Sequence, residues 1–237
     1  MNQEMSVATN LARAAGRAAL AYFRQADLEV ETKADASPVS AADRAADAVI
    51  IAGLEEAFPK DGILSEEQPD QESWHGAERA WVVDPLDGTA DFIAGRDGFS
   101  VMIGLMIAHQ PVLGVVYQPV GDILYRGIIG GTAERIEGGQ THALVPSGRA
   151  APDEIRLVVS HSHRSPRINA LKSALGIREE IQKGSVGVKA GLIARGACEL
   201  YLNPEGHCKL WDTCAPEAIL RAAGAKISDM HGAPLVY

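Results

Sequence analysis

Trp81-Val82-Val83-Asp84-Pro85-Leu86-Asp87-Gly88-Thr89 is the stretch on which the reading of this chain turns. Trp81 to Val83 is a short apolar run of strand type that delivers Asp84 at its end. Pro85 has a fixed φ and no N–H, so the chain turns sharply there and Leu86 is left to present its carbonyl oxygen. Asp87 then falls close to Asp84, and Gly88 permits a close backbone approach. Thr89 opens a short helical turn whose N–H groups favour an anion. Two carboxylates, a carbonyl and a helical turn together make a site for a hard cation and a phosphate. The competing reading, a strand-to-turn connection in which Asp and Gly serve only as turn formers, requires the whole string to be accidental.

Upstream, Ile63-Leu64 leads into Ser65-Glu66-Glu67, adjacent carboxylates at a strand end that are costly unless a cation or solvent sits beside them. Ser40-Ala41-Ala42-Asp43 opens a helix as a capping box, with Ala46, Val49, Ile50, Leu54 and Phe58 as its apolar face and Pro59 as its stop. Before it, Val7, Leu11, Ala14, Ala18 and Tyr22 predict an amphipathic helix over residues 3–24. Downstream, Phe99 to Ile129 reads as an antiparallel meander broken at Gln110-Pro111, Gln118-Pro119 and Gly121-Asp122, with further turns at Gly130-Gly131 and Gly138-Gly139. The polar stretch from Pro146 to Pro152 divides an N-terminal α+β lobe (residues 1–148) from a C-terminal α/β lobe (residues 149–237). In the second lobe we expect strands at 155–160, 199–202 and 225–228 and helices at 166–175, 186–195 and 212–223. Asp212 reads as a helix N-cap. Taken singly, Asp43, Glu66 and Asp212 are each better explained as structural or solvated than as catalytic.

Composition narrows the partners. The 237 residues carry 22 Lys+Arg against 31 Asp+Glu, a net charge of −9, with no basic block, which argues against nucleic acid polymers and anionic membranes. A hydrophobic content of 46% rules out disorder over most of the chain. No apolar run approaches the roughly 18 residues of a spanning helix. Cys198, Cys208 and Cys214 form no C-x-x-C pair and read as packed thiols of a reducing compartment, so the cytoplasm is the default location. Trp74 and Trp211 read as core or lobe-interface residues, and His161 as a bland one. There is no P-loop, dinucleotide fingerprint or helix-borne zinc motif.

With these segments in place the sequence resembles a known family. Asp84-Pro85-Leu86-Asp87-Gly88-Thr89, preceded by Ser65-Glu66-Glu67 and followed by Trp211-Asp212, is similar to the lithium-sensitive, magnesium-dependent inositol monophosphatase-like superfamily. Lys33 to Asp43 and Gly206 to Glu217 resemble most its 3′(2′),5′-bisphosphate nucleotidase branch, which removes the 3′-phosphate of 3′-phosphoadenosine 5′-phosphate in sulfur metabolism. The resemblance runs from about residue 7 to the end and implies a layered αβαβα sandwich with its site between the lobes.

It further implies that Glu66, Asp84, the Leu86 carbonyl, Asp87 and Asp212 hold two or three Mg²⁺, and that Asp43 and Thr89 orient and deprotonate the attacking water. Gly88 and Thr89 at the phosphate, and Ser160, Ser162, His163, Gly184, Ser185 and Lys189 at the nucleotide, are the implied substrate contacts. A homodimer is the implied assembly. Two departures stand out: Ala90, then Asp91-Phe92, where the branch often has Lys after Gly-Thr, and an end at Tyr237 where relatives continue into another strand, which would leave a sheet edge open. Three alternatives remain: an inositol or sugar phosphatase of the same superfamily, a non-catalytic metal-dependent scaffold, and a phospho-aspartyl phosphatase. The last is disfavoured because Pro85 and Leu86 separate the two aspartates, unlike D-x-D-G-T.

Overall fold

The computed structural model describes residues 1–25, 30–32, 38–68, 74–161, 165–206 and 208–237. Helix α1 (Asn2–Leu20) leads, followed by a short antiparallel pair, β1 (Val30–Thr32) and β2 (Pro38–Ser40), and helix α2 (Ala41–Ala57). Then come β3 (Gly62–Ser65), β4 (Arg79–Asp87), the single helical turn α3 (Thr89–Ile93), β5 (Ser100–Ile107), β6 (Gln110–Gln118), β7 (Ile123–Ile128), β8 (Ala133–Glu137) and β9 (Gln140–Ala143). Strands β3 to β9 form one seven-stranded sheet in sequence order, antiparallel except for the β3–β4 pair. Beyond it lie β10 (Arg156–Val159), α4 (Pro166–Leu175), β11 (Glu179–Gln182), α5 (Val186–Ala194), β12 (Leu200–Tyr201) and α6 (Leu210–Ala222). β11, β10 and β12 form a parallel three-stranded sheet in that order.

The period-2 alternation of the strands sorts the core into layers. On one face of the large sheet Trp81, Val83, Val101, Ile103, Leu105, Leu113, Val115 and Tyr117 pack against α1 and α2. On the other, Met102, Val116 and Tyr125 meet Ala190 and Ala194 of α5 and Ala215, Ile219 and Leu220 of α6. α5 in turn buries Val188 and Leu192 against Val158 of β10, while Leu157 and Val159 face Ile168 of α4. The order helix pair, sheet, helix pair, sheet, helix is the αβαβα sandwich.

The second helix layer is held unusually close to the sheet. Gly104, Gly114 and Gly127 stand in register across β5, β6 and β7. A Cβ on them would lie 2.5 Å from Cys214 Sγ, 2.2 Å from the Ala215 carbonyl oxygen and 3.0 Å from Ile219 Cα respectively. The three glycines therefore make a groove in which α6 rests, and this fixes the position of the residues in its first turn, Asp212 among them.

Several sequence expectations need correction. The buried stripe of α1 is Met5, Ala8, Ala12, Ala15, Gly16 and Ala19, not Val7, Leu11, Ala14, Ala18 and Tyr22. Small residues take the tightest contact, where a Cβ on Gly16 would sit 2.5 Å from the Tyr117 ring, and Leu11 and Tyr22 pack at the margin. Ala225 to Ser228 forms no strand. β8, β9 and β11, built of polar sequence with no buried position, were not anticipated. Cys198 and Cys214 are packed thiols, but Cys208 is exposed, its Sγ accepting from Asn203 Nδ2 at 3.0 Å.

Candidate active site

β4 does not stop at Val83 as its apolar run predicts; it continues through Asp87. Its register against β5 pairs Asp84 with Met102 and Asp87 with Ser100, so β4 carries one extra residue at this point. In a regular strand, side chains three apart face opposite sides of the sheet. The bulge at Pro85-Leu86 cancels that and puts both carboxylates on one side. Asp84 Oδ1 then accepts the Leu86 N–H at 3.0 Å, closing the turn. Gly88 sits at φ 91° with a would-be Cβ 2.8 Å from the Gly98 carbonyl oxygen and 3.1 Å from Ser185 N, so both its conformation and its surroundings exclude a side chain.

Asp84, Asp87 and Asp212 each place one carboxylate oxygen within 4.8 Å of the others. Asp212 is the third residue of α6 rather than its N-cap: the cap is Lys209, whose N–H donates to Asp212 Oδ2 at 2.7 Å. The Asp87 carboxylate reaches from the end of β4 to the start of α5, where its Oδ2 accepts from Ser185 Oγ (2.5 Å) and Gly187 N (3.0 Å), and the helix dipole favours its charge. Ser185 is itself braced by Ser100 Oγ at 2.8 Å and by the Val188 N–H at 3.0 Å.

Glu66 follows β3, its N–H bonded to the Val83 carbonyl at 3.1 Å. It lies outside the tight trio, yet its charge acts on both Asp84 and Asp212. Burial first, then the charges of Glu66, Asp87 and Asp212, push Asp84 well above the usual carboxylate range. Burial and Asp87 push Asp212 up to about 7. Burial also raises Asp87, against the pull of Lys189 and the Ser185 hydrogen bond.

The capping-box reading of Asp43 holds and leaves half of the carboxylate for other work. Its Oδ2 accepts from Ser40 N (2.8 Å) and Ser40 Oγ (2.6 Å), while Oδ1 lies 3.1 Å from Thr89 Oγ1. The same hydroxyl lies 3.1 Å from the Leu86 carbonyl oxygen. One hydroxyl hydrogen serves only one of these acceptors at a time. Burial raises Asp43 above the ordinary range.

The expected nucleotide segments divide. Ser162 and His163 lie outside the described residues. Ser160, Gly184, Ser185 and Lys189 come together at the ends of β10 and β11. Lys189 is fully buried: Nζ donates to Ser160 Oγ (3.1 Å) and to the carbonyls of Lys183 (3.3 Å) and Gly184 (2.5 Å), 4.7 Å from the Tyr201 ring centroid. Burial pulls its ammonium down to about 8.

Sequence reasoning missed three residues here. Asp47, one turn after Asp43, accepts from Ser65 Oγ (2.6 Å) and Gln68 Nε2 (2.7 Å) and so pins the turn that carries Glu66. Asp91 is wholly buried, and His161, taken as bland, has its Nδ1 3.0 Å from Asp91 Oδ2. The signal for Asp47 was its i,i+4 spacing from Asp43 on the buried face; nothing local marked the pairing of Asp91 with His161.

No helix among the described residues is long and apolar enough to cross a membrane. Comparison with known proteins places this geometry. The model of the inositol monophosphatase family matches residues 1–237. The chain is 39% identical over 232 residues to the 3′(2′),5′-bisphosphate nucleotidase CysQ of Shigella flexneri, covering 96% of this chain and 91% of that protein. Among solved structures it resembles CysQ from Bacteroides thetaiotaomicron, with a TM-score of 0.81 and 32% identity over 99% of this chain and 92% of the other. It also resembles an inositol monophosphatase from Anabaena, with a TM-score of 0.82 and 26% identity over 99% and 86%. The chain therefore belongs to the inositol monophosphatase family.

Proposed function

We propose that this protein is a Mg²⁺-dependent phosphomonoesterase that hydrolyses the 3′-phosphate of 3′-phosphoadenosine 5′-phosphate to AMP and phosphate. The observation that carries the reading is the trio of buried Asp84 and Asp87 with half-buried Asp212 beside a Thr89–Asp43 pair, in a chain 38–39% identical to 3′(2′),5′-bisphosphate nucleotidases.

The donor set fits a hard cation. The trio offers only oxygens; burial raises the proton affinity of all three, and the charges of neighbouring acids add to it at Asp84 and Asp212. Divalent cations relieve that repulsion, and oxygen-only sites select Mg²⁺ over softer metals. Asp84, Asp87, Asp212, Glu66 and the Leu86 carbonyl would hold Mg²⁺. When bound, Mg²⁺ supplies positive charge to the phosphoryl oxygens and makes a nearby water more acidic.

The chain's own residues do the rest. Thr89 Oγ1 donates its hydrogen to Asp43 Oδ1, which turns an oxygen lone pair toward the attacking water. The water's proton passes to Thr89 as the hydroxyl proton passes to Asp43. Water oxygen bonds to phosphorus as the bond to the ribose 3′-oxygen breaks; the leaving oxygen takes up a proton from solvent water, and Asp43 returns the one it received to solvent. No covalent phosphoenzyme is formed.

The pH dependence has a definite sign. Acids raised in the folded state bind more protons there than in the unfolded chain, so in the metal-free protein they lower folding stability as pH rises from about 4 to 7. Mg²⁺ must displace the proton that Asp212 holds with a pKa of about 7. With Asp84 and Asp87 raised as well, the apparent Mg²⁺ affinity should therefore rise by at least about tenfold between pH 6 and pH 8. Mg²⁺ should also raise the melting temperature more at pH 8 than at pH 6. A metal affinity independent of pH over this interval contradicts the carboxylate site.

The fold likeness to inositol monophosphatases favours a second reading, an inositol or sugar phosphate phosphatase using the same acids. Comparison of kcat/KM for 3′-phosphoadenosine 5′-phosphate, inositol 1-phosphate and fructose 1,6-bisphosphate at equal Mg²⁺ separates the two. A scaffold role predicts no turnover of any of them.

A further inference from the structure

Asp91 has no place in the reaction just described, yet both oxygens of its carboxylate are held by hydrogen bonds. It lies in α3 with no exposed surface. Oδ1 accepts from Arg96 Nε (2.9 Å) and Nη2 (2.7 Å). Oδ2 accepts from Gly184 N (2.9 Å) and faces His161 Nδ1 at 3.0 Å. One carboxylate thus joins the turn after Gly88 to the residues leaving the carboxyl ends of β10 and β11, the edge at which parallel α/β sheets bind ligands.

The fit around Asp91 is close on both sides. A Cβ on Gly98 would come 2.0 Å from Asp91 Oδ2, and one on Gly184 would come 2.6 Å from Asp91 Cγ. Asp87, by contrast, is braced independently: Ser100, Val188 and the Gly98 carbonyl fix Ser185, and Gly187 donates directly to Asp87. The acids and the Gly184 turn therefore depend on different hydrogen bonds, which meet at Gly98, and Asp91 makes those of the Gly184 turn.

We propose that Asp91 is a positioning residue, which through Gly184 and His161 sets the distance between the acidic cluster and the part of the protein that grips the non-reacting portion of the substrate. This rests on the nucleotidase reading, in which Gly184 and Ser185 border the nucleotide. It also gives a use to the departure after Gly88-Thr89, where the sequence continues Ala90-Asp91. Charge matters as well as shape. Two donors meet each oxygen, so Asn satisfies one side and turns its NH₂ against donors on the other.

Steady-state kinetics of Asp91→Asn and Gly98→Ala test this. Gly98→Ala keeps the Asp91 side chain chemically intact but pushes its carboxylate from the far side, so it serves if Asp91→Asn does not fold. Both variants should raise KM for 3′-phosphoadenosine 5′-phosphate about tenfold or more; in Asp91→Asn kcat should stay within about threefold of wild type and the Mg²⁺ activation midpoint within about twofold, while Gly98→Ala, whose carbonyl also holds Ser185, is read on KM alone. Amide hydrogen exchange at Gly184 should quicken in Asp91→Asn, a readout independent of substrate identity. A loss of kcat that follows weakened Mg²⁺ activation, or an unchanged KM with unchanged Gly184 exchange, overturns the proposal. Wild-type enzyme that turns over only inositol 1-phosphate overturns the nucleotidase reading instead, and the same split measured on inositol 1-phosphate then decides the role of Asp91.

Discussion

Asp87→Asn should remove Mg²⁺-dependent phosphate release, lowering kcat/KM by about 10³-fold or more, well beyond the 10–100-fold typical of losing an outer-shell partner of a metal. The protein should nevertheless fold. The Asn carbonyl oxygen still accepts from Ser185 Oγ and the Gly187 N–H, the two bonds that Asp87 Oδ2 makes. One charge fewer in a buried, mutually repelling trio also relieves Asp84 and Asp212. In EDTA the variant should therefore melt at or above the wild-type temperature, while Mg²⁺ no longer raises it. Calorimetry with and without Mg²⁺, beside a phosphate-release assay, checks both halves. Near-wild-type turnover excludes Asp87 as a ligand, and a collapsed fold excludes the account of its hydrogen bonding.

Thr89→Val should lower kcat by about 10²-fold, within the range contributed by positioned general acid–base groups, and leave KM and the Mg²⁺ midpoint nearly unchanged. Valine matches the shape of threonine and removes one hydroxyl, which among the described residues reaches Asp43 Oδ1 and the Leu86 carbonyl. Asp43→Asn should act in the same direction but cost more stability, because Asp43 Oδ2 also closes the capping box of α2. If the two residues pass one proton between them, the double variant should be little slower than the worse single variant. Rate losses that multiply contradict the shared relay.

How much of this was legible in the sequence follows from the range of each interaction. Asp84 and Asp87 could be paired from their spacing because the bulge that unites them is local, spanning Pro85 and Leu86. Asp43 could be read as a capping residue for the same reason, though its second oxygen, turned to Thr89, depends on a contact 46 residues away. Asp91 and Gly184 are 93 residues apart, and no property of Ala90-Asp91-Phe92 foretells that bond. The stripe of α1 was misplaced because periodicity counts hydrophobicity, while the packing against Tyr117 rewards smallness. The polar strands β8, β9 and β11 carried no alternating signal, since none buries a residue fully.

The acidic balance of the chain also gains a physical sense. On the proposed reading Asp43, Glu66, Asp84, Asp87 and Asp212, five of its 31 acids, belong to one site, where divalent cations would offset much of the local negative charge. A net charge of −9 disfavours long polyanions but not a small phosphorylated nucleotide.

The central claim is tested most directly by kcat/KM for 3′-phosphoadenosine 5′-phosphate, inositol 1-phosphate and fructose 1,6-bisphosphate, measured side by side at one Mg²⁺ concentration and again in EDTA. The account predicts a clear preference for the bisphosphate nucleotide, with AMP as product and no turnover in EDTA. A preference for inositol 1-phosphate, or hydrolysis that survives chelation, contradicts it.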